Sequence, residues 1–335
     1  MKETPRDATP ITVREWSYDD PLLPSLWDSL LARSDTKPVT QSLEWHQAWW
    51  ASRGRGRLLL LAAELAAEPV AIAPLFADHG MVFFVGAGEA DCHDMLGVVH
   101  DPAVLASLLA TAQALAPGFL GIRLHFLPEA SRTAAALRMT ADHLGWNVVH
   151  ERLDHGVLVD LAADPAAARQ AVGRSMRKTE DALHRAGDFE VRRIETAGEA
   201  LPLLPSLFEM HIARWKARGV DSIFLDPARR DFLERWVALS ADRGWLRMIH
   251  LLWNGVSLGI DLNWHYRGTQ HSGPWAFDTA HQKHSPGQVL LRQAVLMALE
   301  SGMHTYDLGL GDEAYKFRLP CRVVSCETVG LYPPS

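Results

Sequence analysis

The sequence predicts an α/β fold of the mixed α+β kind, arranged as two lobes. Segments with helical periodicity alternate with short apolar segments typical of strands throughout the 335 residues. At roughly 150 residues per domain, this length favours two domains. A helix-start signal, Asp164-Pro165, follows a strand-like segment near the middle of the chain. We therefore predict one lobe over residues 1–160 and a second over residues 161–335.

The second lobe carries the clearest pattern of strands. The strand-like segments 246–253 and 256–266 flank Asn254-Gly255, the dipeptide most typical of a two-residue hairpin. Segment 269–277 follows another turn, Arg267-Gly268, so the three segments predict an antiparallel meander. A helix over about 286–301 and a strand over 305–310 come next. We expect each lobe to hold a mixed, largely antiparallel sheet flanked by helices.

One helix is predicted to run from Asp164-Pro165 to about Ala186 and to end at Gly187 in the left-handed conformation. Residues 169–193 hold seven Lys or Arg against four acidic residues. Arg174 and Lys178 lie one turn apart and share a face. They either bind a phosphorylated donor or form a solvated, salt-bridged surface.

Composition excludes several classes of protein. Lys plus Arg is 33 and Asp plus Glu is 40, giving a net charge of −7, so a global basic field for nucleic acid is absent. No apolar run is long enough to span a membrane, and the polar N-terminus lacks the apolar core of a signal peptide. We expect a cytoplasmic protein without membrane partners.

A metal site is not expected. The three cysteines, Cys92, Cys321 and Cys326, form neither a disulfide framework nor a zinc spacing. The run from Asp91 to Asp94 resembles a ligand cluster, but adjacent residues on a strand point to opposite faces. We interpret it as a polar loop.

A helix start at residues 284–288 is a candidate anion site. Ser285 is a good N-cap, Pro286 suits the first helical position, and Gln288 would complete a capping box. Gly287 removes side-chain bulk, so backbone N–H groups there can approach a ligand such as a pyrophosphate. The same residues also describe a helix that is merely well capped.

The predicted strand 256–266 alternates between two kinds of side chain. Ile260, Leu262 and Trp264 point one way, and the other face carries Asp261, Asn263 and His265. That polar face either lines a pocket or meets solvent.

Four passages resemble the CelD-like branch of the GNAT acyltransferases, a branch related to the FemAB aminoacyltransferases. The resemblance runs from about residue 40 to the end, although Gly287 stands alone where the general GNAT loop has two spaced glycines. The passages are Gln41-Ser42-Leu43-Glu44-Trp45 with Trp49-Trp50, Gly173 to Lys178, Ser285-Pro286-Gly287 with Leu290-Leu291, and Asp307 to Glu313 with Tyr315-Lys316-Phe317.

The resemblance implies two GNAT-like lobes and transfer of an acyl group to an amine or hydroxyl of a small polar acceptor. Acetyl-coenzyme A, or another acyl-coenzyme A, would be the co-substrate, with no metal. Aminoacyl-tRNA is the alternative donor, which the charge of −7 disfavours. A non-catalytic binding or scaffold protein is the third possibility.

The resemblance also suggests roles for particular residues. Proton transfer is expected from one or more of Asp307, Tyr315, Asp278 and His281. Donor binding is expected from Ser285, Pro286, Gly287, Gln288, Arg174 and Lys178. Acceptor binding is expected from Asp261, Asn263, His265, Asp312, Glu313 and Lys316. Packing explains Tyr315 equally well, and pairing with Lys316 or Arg318 explains the two acids at 312 and 313.

Overall fold

The computed structural model describes residues 10–334, which form two compact units. The first comprises residues 10–50, 54–154 and 325–334, and the second comprises 51–53 and 155–324. The end of the chain thus clusters with the first unit, whereas the sequence-based division assigned it to the second lobe. Residues 1–9, which carry most of the polar N-terminus, lie outside the described residues.

Helices and strands alternate along the whole described chain. The helices are α1 (Leu23–Arg33), α2 (Leu43–Arg53), α3 (Pro102–Leu115), α4 (Thr133–Leu144), α5 (Pro165–Ala171), α6 (Arg174–Ala186), α7 (Ala197–Ala200), α8 (Leu204–Lys216), α9 (Pro227–Asp242) and α10 (Pro286–Glu300). The strands are β1 (Ile11–Trp16), β2 (Arg57–Leu65), β3 (Glu68–Asp78), β4 (Met81–Phe84), β5 (Leu96–Gly97), β6 (Gly121–Pro128), β7 (Asn147–Asp160), β8 (Phe189–Ile194), β9 (Leu246–Trp253), β10 (Val256–Tyr266), β11 (Thr269–Phe277), β12 (Thr305–Leu310) and β13 (Cys321–Tyr332). Within residues 10–334, no helix combines the length and apolarity needed to cross a membrane.

Each unit has a mixed, mostly antiparallel sheet, as predicted. The first has the order β1-β2-β3-β4-β6-β13, with β4 and β6 parallel. Strand β13 joins it because Val329 pairs with Leu124 on β6. The second has the order β7-β12-β11-β10-β9-β8, with β11 and β12 parallel.

The predicted meander is confirmed. Strands β9, β10 and β11 have the predicted limits. Asn254 and Gly255 both adopt positive φ, at 52° and 76°, as a type I′ turn requires. Arg267 and Gly268 do the same at 48° and 78°.

The predicted helix over 164–186 is wrong in two respects. It is broken at Val172-Gly173 into α5 and α6, and Arg292 Nη1 donates to the Val172 carbonyl at the break, at 2.8 Å. Gly187 is extended, with φ 173°, and is not left-handed. A Cβ at Gly187 would lie 2.5 Å from Asn254 Oδ1, so glycine is needed there for space.

A β-bulge in β11 shapes the middle of the second sheet. Asp261 pairs with Trp275 and Asn263 with Ser272, so Gly273 and Pro274 oppose the single residue between them on β10. A bulge is one of the few places where an interior strand accepts proline. Bulges also re-aim the side chains beside them.

Strands β11 and β12 separate soon after they meet. They pair at only three positions, from Thr269 with Thr305 to His271 with Asp307. Beyond that point β11 continues along β10, while Leu310 of β12 pairs with Gly156 of β7. A wedge therefore opens between the two strands.

We predict that Gly273→Ala destabilises the protein by about 1–3 kcal/mol, the usual cost of overpacking. A Cβ there would lie 2.2 Å from Cζ3 of Trp264, an indole that is buried and held by Ser240. Chemical denaturation followed by tryptophan fluorescence measures the change. Gly198→Ala is the control, because a Cβ at Gly198 meets nothing within 4 Å. Equal stability of the two variants would contradict this account of the bulge.

Candidate active site

A cavity of about 470 Å³ occupies the second unit where β11 and β12 separate. Its lining comes from α8, β10, β11, the start of α10, β12 and the segment after β12. Five residues singled out from the sequence line it together: Asp261, Ser285, Gly287, Gln288 and Tyr315. The fold thus places the predicted helix start on the same cavity as Asp261, one member of the polar face of β10.

Asp261 is the most unusual group in this cavity. The residue is only 4% exposed, and its carboxyl oxygen Oδ1 has no hydrogen-bond partner. Burial raises the pKa of Asp261 to about 8, although the neighbouring Asn263 side chain lowers it in part. A carboxyl group of this kind holds a proton near neutral pH and can also release one, as proton-transfer groups in enzymes do.

The rest of the polar face of β10 is buried, which excludes the solvated interpretation. Asn263 Oδ1 accepts from the Tyr306 hydroxyl at 3.1 Å and from Gln270 Nε2 at 3.4 Å. Gln270 Oε1 lies 2.8 Å from His265 Nε2. Asn263 and His265 do not line the cavity. They form a packed network behind Asp261 instead of the expected contact with an acceptor.

Tyr315 presents a protonated phenol to the cavity. Burial, together with the charges of Glu313 and Asp261, raises the pKa of Tyr315 to about 12. Its ring packs edge-on against Trp275, with centroids 5.9 Å apart. Both roles considered from the sequence, packing and proton donation, are therefore compatible with its position.

The start of α10 differs from the predicted capping box. Ser285 is left-handed, with φ 50° and ψ 48°, and its side chain makes no capping hydrogen bond. The Ser285 N–H donates to the Gln282 carbonyl, and the Gln288 N–H donates to the Ser285 carbonyl. Ser285 ends the preceding 3-10 turn (Thr279–His284), which imposes this conformation. The helix start consequently faces the cavity without a capping side chain.

Gly287 of α10 faces the aromatic wall of the cavity, formed by Trp275 and Phe277. A Cβ there would lie 3.2 Å from Trp275 Cζ3 and 3.3 Å from Phe277 Cε1. Pro286 is buried beside it but does not line the cavity. The limited room beside Trp275 and Phe277, and not a strained backbone conformation, therefore accounts for glycine at this position.

Lys316 has a structural role that differs from the expected contact with substrate. It is 2% exposed, and Nζ donates to the carbonyls of Gly309, Leu310 and Gly311 at 3.3, 2.6 and 3.4 Å. Nζ also pairs with Glu313 Oε2 at 3.0 Å. These four contacts leave the ammonium group unavailable to a ligand. They fix the turn that carries Tyr315 into the cavity.

Asp307 is not among the residues that line the cavity, and its role as a base stays a prediction. Its neighbours Tyr306 and Leu308 line the cavity, and successive strand side chains point to opposite faces. Asp307 Oδ2 lies 3.3 Å from His271 Nδ1, and Oδ1 accepts from the Gly309 N–H at 2.9 Å. Burial alone would raise the pKa of Asp307, but these bonds lower it below its usual range.

The remaining predicted residues also lie away from the cavity lining. Asp278 accepts from the Ala280 N–H, and its carboxylate is 3.6 Å from His281, whose ring packs edge-on against Trp253. The other members of this group are exposed: Asp312, Glu313, Arg174 and Lys178.

Three arginines that the sequence interpretation missed line the cavity: Arg214, Arg218 and Arg318. The Arg214 guanidinium stacks 3.9 Å from the Trp275 ring centroid and 5.1 Å from that of Phe277. Arg214 lies on α8 and Arg218 follows four residues later, a spacing that in a helix indicates a shared face. No comparable pattern connects either one with Arg318.

No group of three or more His, Cys, Asp or Glu side chains within residues 10–334 is arranged to hold a metal ion. The polar groups that line the cavity include Asp261, Tyr315, the three arginines and the start of α10.

The sequence of the second unit matches a known family. Residues 166–317 match the family described as an acetyltransferase (GNAT) domain. This match covers less than half of the chain, so it shows that the second unit is similar to GNAT acetyltransferase domains. No curated protein matches the sequence.

Solved structures show the same fold over most of the chain. FemX has a TM-score of 0.66 at 10% identity, covering 96% of this chain and 97% of FemX. L-PGS from Bacillus licheniformis has a TM-score of 0.55 at 12% identity, covering 87% and 91%. A tandem GNAT protein from the clavulanic acid biosynthesis pathway has a TM-score of 0.54 at 10% identity, covering 97% and 99%. These likenesses establish the predicted fold of two GNAT-like lobes.

We predict that Lys316→Met costs at least about 2 kcal/mol of unfolding free energy, because hydrogen bonds to a charged group contribute roughly 1.5–3 kcal/mol. Glu313→Gln is the matched control. It weakens only the ion pair to an exposed carboxylate, worth at most about 1 kcal/mol. Denaturant midpoints of the two variants make the comparison. A larger loss in Glu313→Gln would show that the ion pair, and not the carbonyl contacts, holds the turn.

Proposed function

We propose that the protein is an N-acyltransferase-type enzyme. It moves an acyl group from acyl-coenzyme A to an amine or hydroxyl of a small polar acceptor. The observation that carries this proposal is Asp261, a buried carboxyl with an unpartnered oxygen in a cavity between separated strands of a GNAT domain. A binding or scaffold protein has no evident need for a buried, unpartnered carboxyl with a raised pKa.

Asp261 and Tyr315 provide the two proton transfers that the reaction requires. The acceptor nitrogen or oxygen attacks the thioester carbonyl, so that a bond to carbon forms and the carbon–sulfur bond breaks. Ionised Asp261 takes the proton that the nucleophile loses. The leaving thiolate takes a proton from Tyr315, whose raised pKa keeps the phenol protonated. The two groups thus have opposite protonation states for opposite tasks.

The start of α10 is the proposed donor site. Ser285, Gly287 and Gln288 line the cavity there, and a helix N-terminus favours the phosphates of coenzyme A. Arg174 and Lys178 are exposed on α6 and remain a proposed outer contact for the same donor.

Aminoacyl-tRNA is the second candidate donor, supported by the likeness in fold to FemX. The net charge of −7 favours the smaller donor, since a tRNA partner calls for a broad basic surface. Salt distinguishes the two, because tRNA affinity falls steeply with ionic strength.

We predict that Asp261→Asn lowers kcat/KM for acyl transfer by about 10²–10⁴-fold, the usual contribution of a general base. In the wild type, kcat/KM should rise with pH and level off above about pH 8, where Asp261 is ionised. The variant should lose that limb. Thiol release from acetyl-coenzyme A, measured with a panel of small amines and alcohols, provides the assay. Asp307→Asn tests the competing base, and a larger loss in that variant would transfer the role to Asp307.

We predict that Gly287→Trp abolishes acetyl-coenzyme A binding, because an indole there must occupy the space beside Trp275 and Phe277. Gly287→Ala, which needs shifts of only a few tenths of an ångström, should bind with modestly reduced affinity. Isothermal titration calorimetry measures both, with thermal melting as the folding control. Unchanged affinity in a folded Gly287→Trp protein would remove α10 from the donor site.

A further inference from the structure

The three arginines of the cavity lack the partners that other arginines in the chain have. Arg138 pairs with Glu327 at 2.6 Å, and Arg292 pairs with Glu180 at 2.8 Å. In the part of the chain that the structure describes, neither Arg214, Arg218 nor Arg318 forms an ion pair with a carboxylate. The three arginines thus place positive charge on one cavity in a chain whose net charge is −7.

Arg214 is held in place by aromatic rings and forms no ion pair within the described residues. Its guanidinium lies over the rings of Trp275 and Phe277, and Nε is buried without a hydrogen-bond partner. Burial and the charge of Arg218 lower the pKa of Arg214 to about 10, although the charge of Glu313 opposes them in part. Stacking fixes the plane of the guanidinium, so its N–H groups are preorganised for an anion.

The arginines line the same cavity as the two proposed proton-transfer groups. Arg214, Asp261 and Tyr315 all border it, and the charges of Arg214 and Asp261 both act on the Tyr315 phenol. Arg214 lies on α8, Arg218 follows the end of that helix and Arg318 lies in the segment after β12, whereas the proposed donor site lies at the start of α10. A ligand bound in this cavity therefore meets both the cations and the proton-transfer groups.

We infer that the acceptor is a small anion with an apolar part. Beside its amine or hydroxyl it carries a carboxylate or phosphate that binds Arg214, Arg218 and Arg318. Its apolar part lies against the aliphatic lining of the same cavity, which includes Leu290, Leu291 and Leu308. The inference rests on the proposed function, since it specifies the acceptor of that reaction. Planar, bidentate recognition of such an oxyanion is what arginine provides and lysine does not.

The test uses three probes of similar shape: phenyl phosphate, benzoate and neutral benzyl alcohol. Each is titrated into the full-length protein by calorimetry. We expect both anions, or one of them, to bind at least about 10-fold more tightly than benzyl alcohol, as charge-assisted hydrogen bonds predict. The anion that binds more tightly identifies the acidic group of the acceptor as a phosphate or a carboxylate.

Two arginine variants test whether these residues bind the anionic probes. Arg214→Gln and Arg218→Gln should each weaken the preferred anion by about 10-fold or more and leave benzyl alcohol unchanged. Arg235→Gln is the matched control, since it removes one positive charge from an exposed pair with Asp231 on α9. Arg218 is exposed, so its variant stays informative even if Arg214→Gln unfolds.

Three results would overturn the inference. One is equal affinity for the anions and benzyl alcohol. Another is unchanged anion affinity in both arginine variants. The third is a loss of acetyl-coenzyme A affinity in Arg214→Gln with unchanged probe affinity, which would assign the cations to the donor. Arginine-dependent probe binding without any acetyl-coenzyme A binding would instead reject the proposed reaction and support the anion site.

Discussion

The early separation of β11 from β12 is the constraint on which the candidate site depends. Two strands that stayed paired would use their backbone groups in hydrogen bonds and leave no room between them. Here the two strands are held apart from both sides. The bulge at Gly273-Pro274 keeps β11 on β10, and Leu310 joins β12 to Gly156 of β7. The cavity is therefore in large part a product of strand pairing, and Gly287 adds space at its aromatic wall.

The longest motif in the sequence mainly stabilises the structure around the cavity. In the stretch from Asp307 to Phe317, Asp307 binds the Gly309 N–H and Lys316 binds three successive carbonyls. These hydrogen bonds stabilise the turn after β12. Leu308 and Tyr315 are members of the motif that line the cavity, and Tyr315 is the one with a titratable side chain. A family signature of this kind marks the scaffold that presents a reactive group, and the group itself can lie elsewhere.

Local patterns allowed most of the second sheet to be predicted. Alternation and turn dipeptides specify β9, β10 and β11 because both act over a few neighbouring residues. The break before α6 and the extended Gly187 were missed, since each depends on a distant residue, Arg292 or Asn254. The same limit applies to the site. The alternation of β10 identified Asp261, but the cavity also needs Arg318 and Arg214, and only the fold brings these together.

The buried carboxyl of Asp261 sets the stability of the fold against the proposed proton transfer. In an unfolded chain an aspartate ionises near pH 3.9, whereas in the fold it does so at about 8. Between these values the folded state binds the extra proton, so the contribution of Asp261 to stability declines as pH rises through this window. The ionised form that would accept a proton from a substrate is the form that the fold tolerates least. Each turnover would thus pass through a locally destabilised enzyme, and an anionic ligand at this site must be balanced by positive charge nearby.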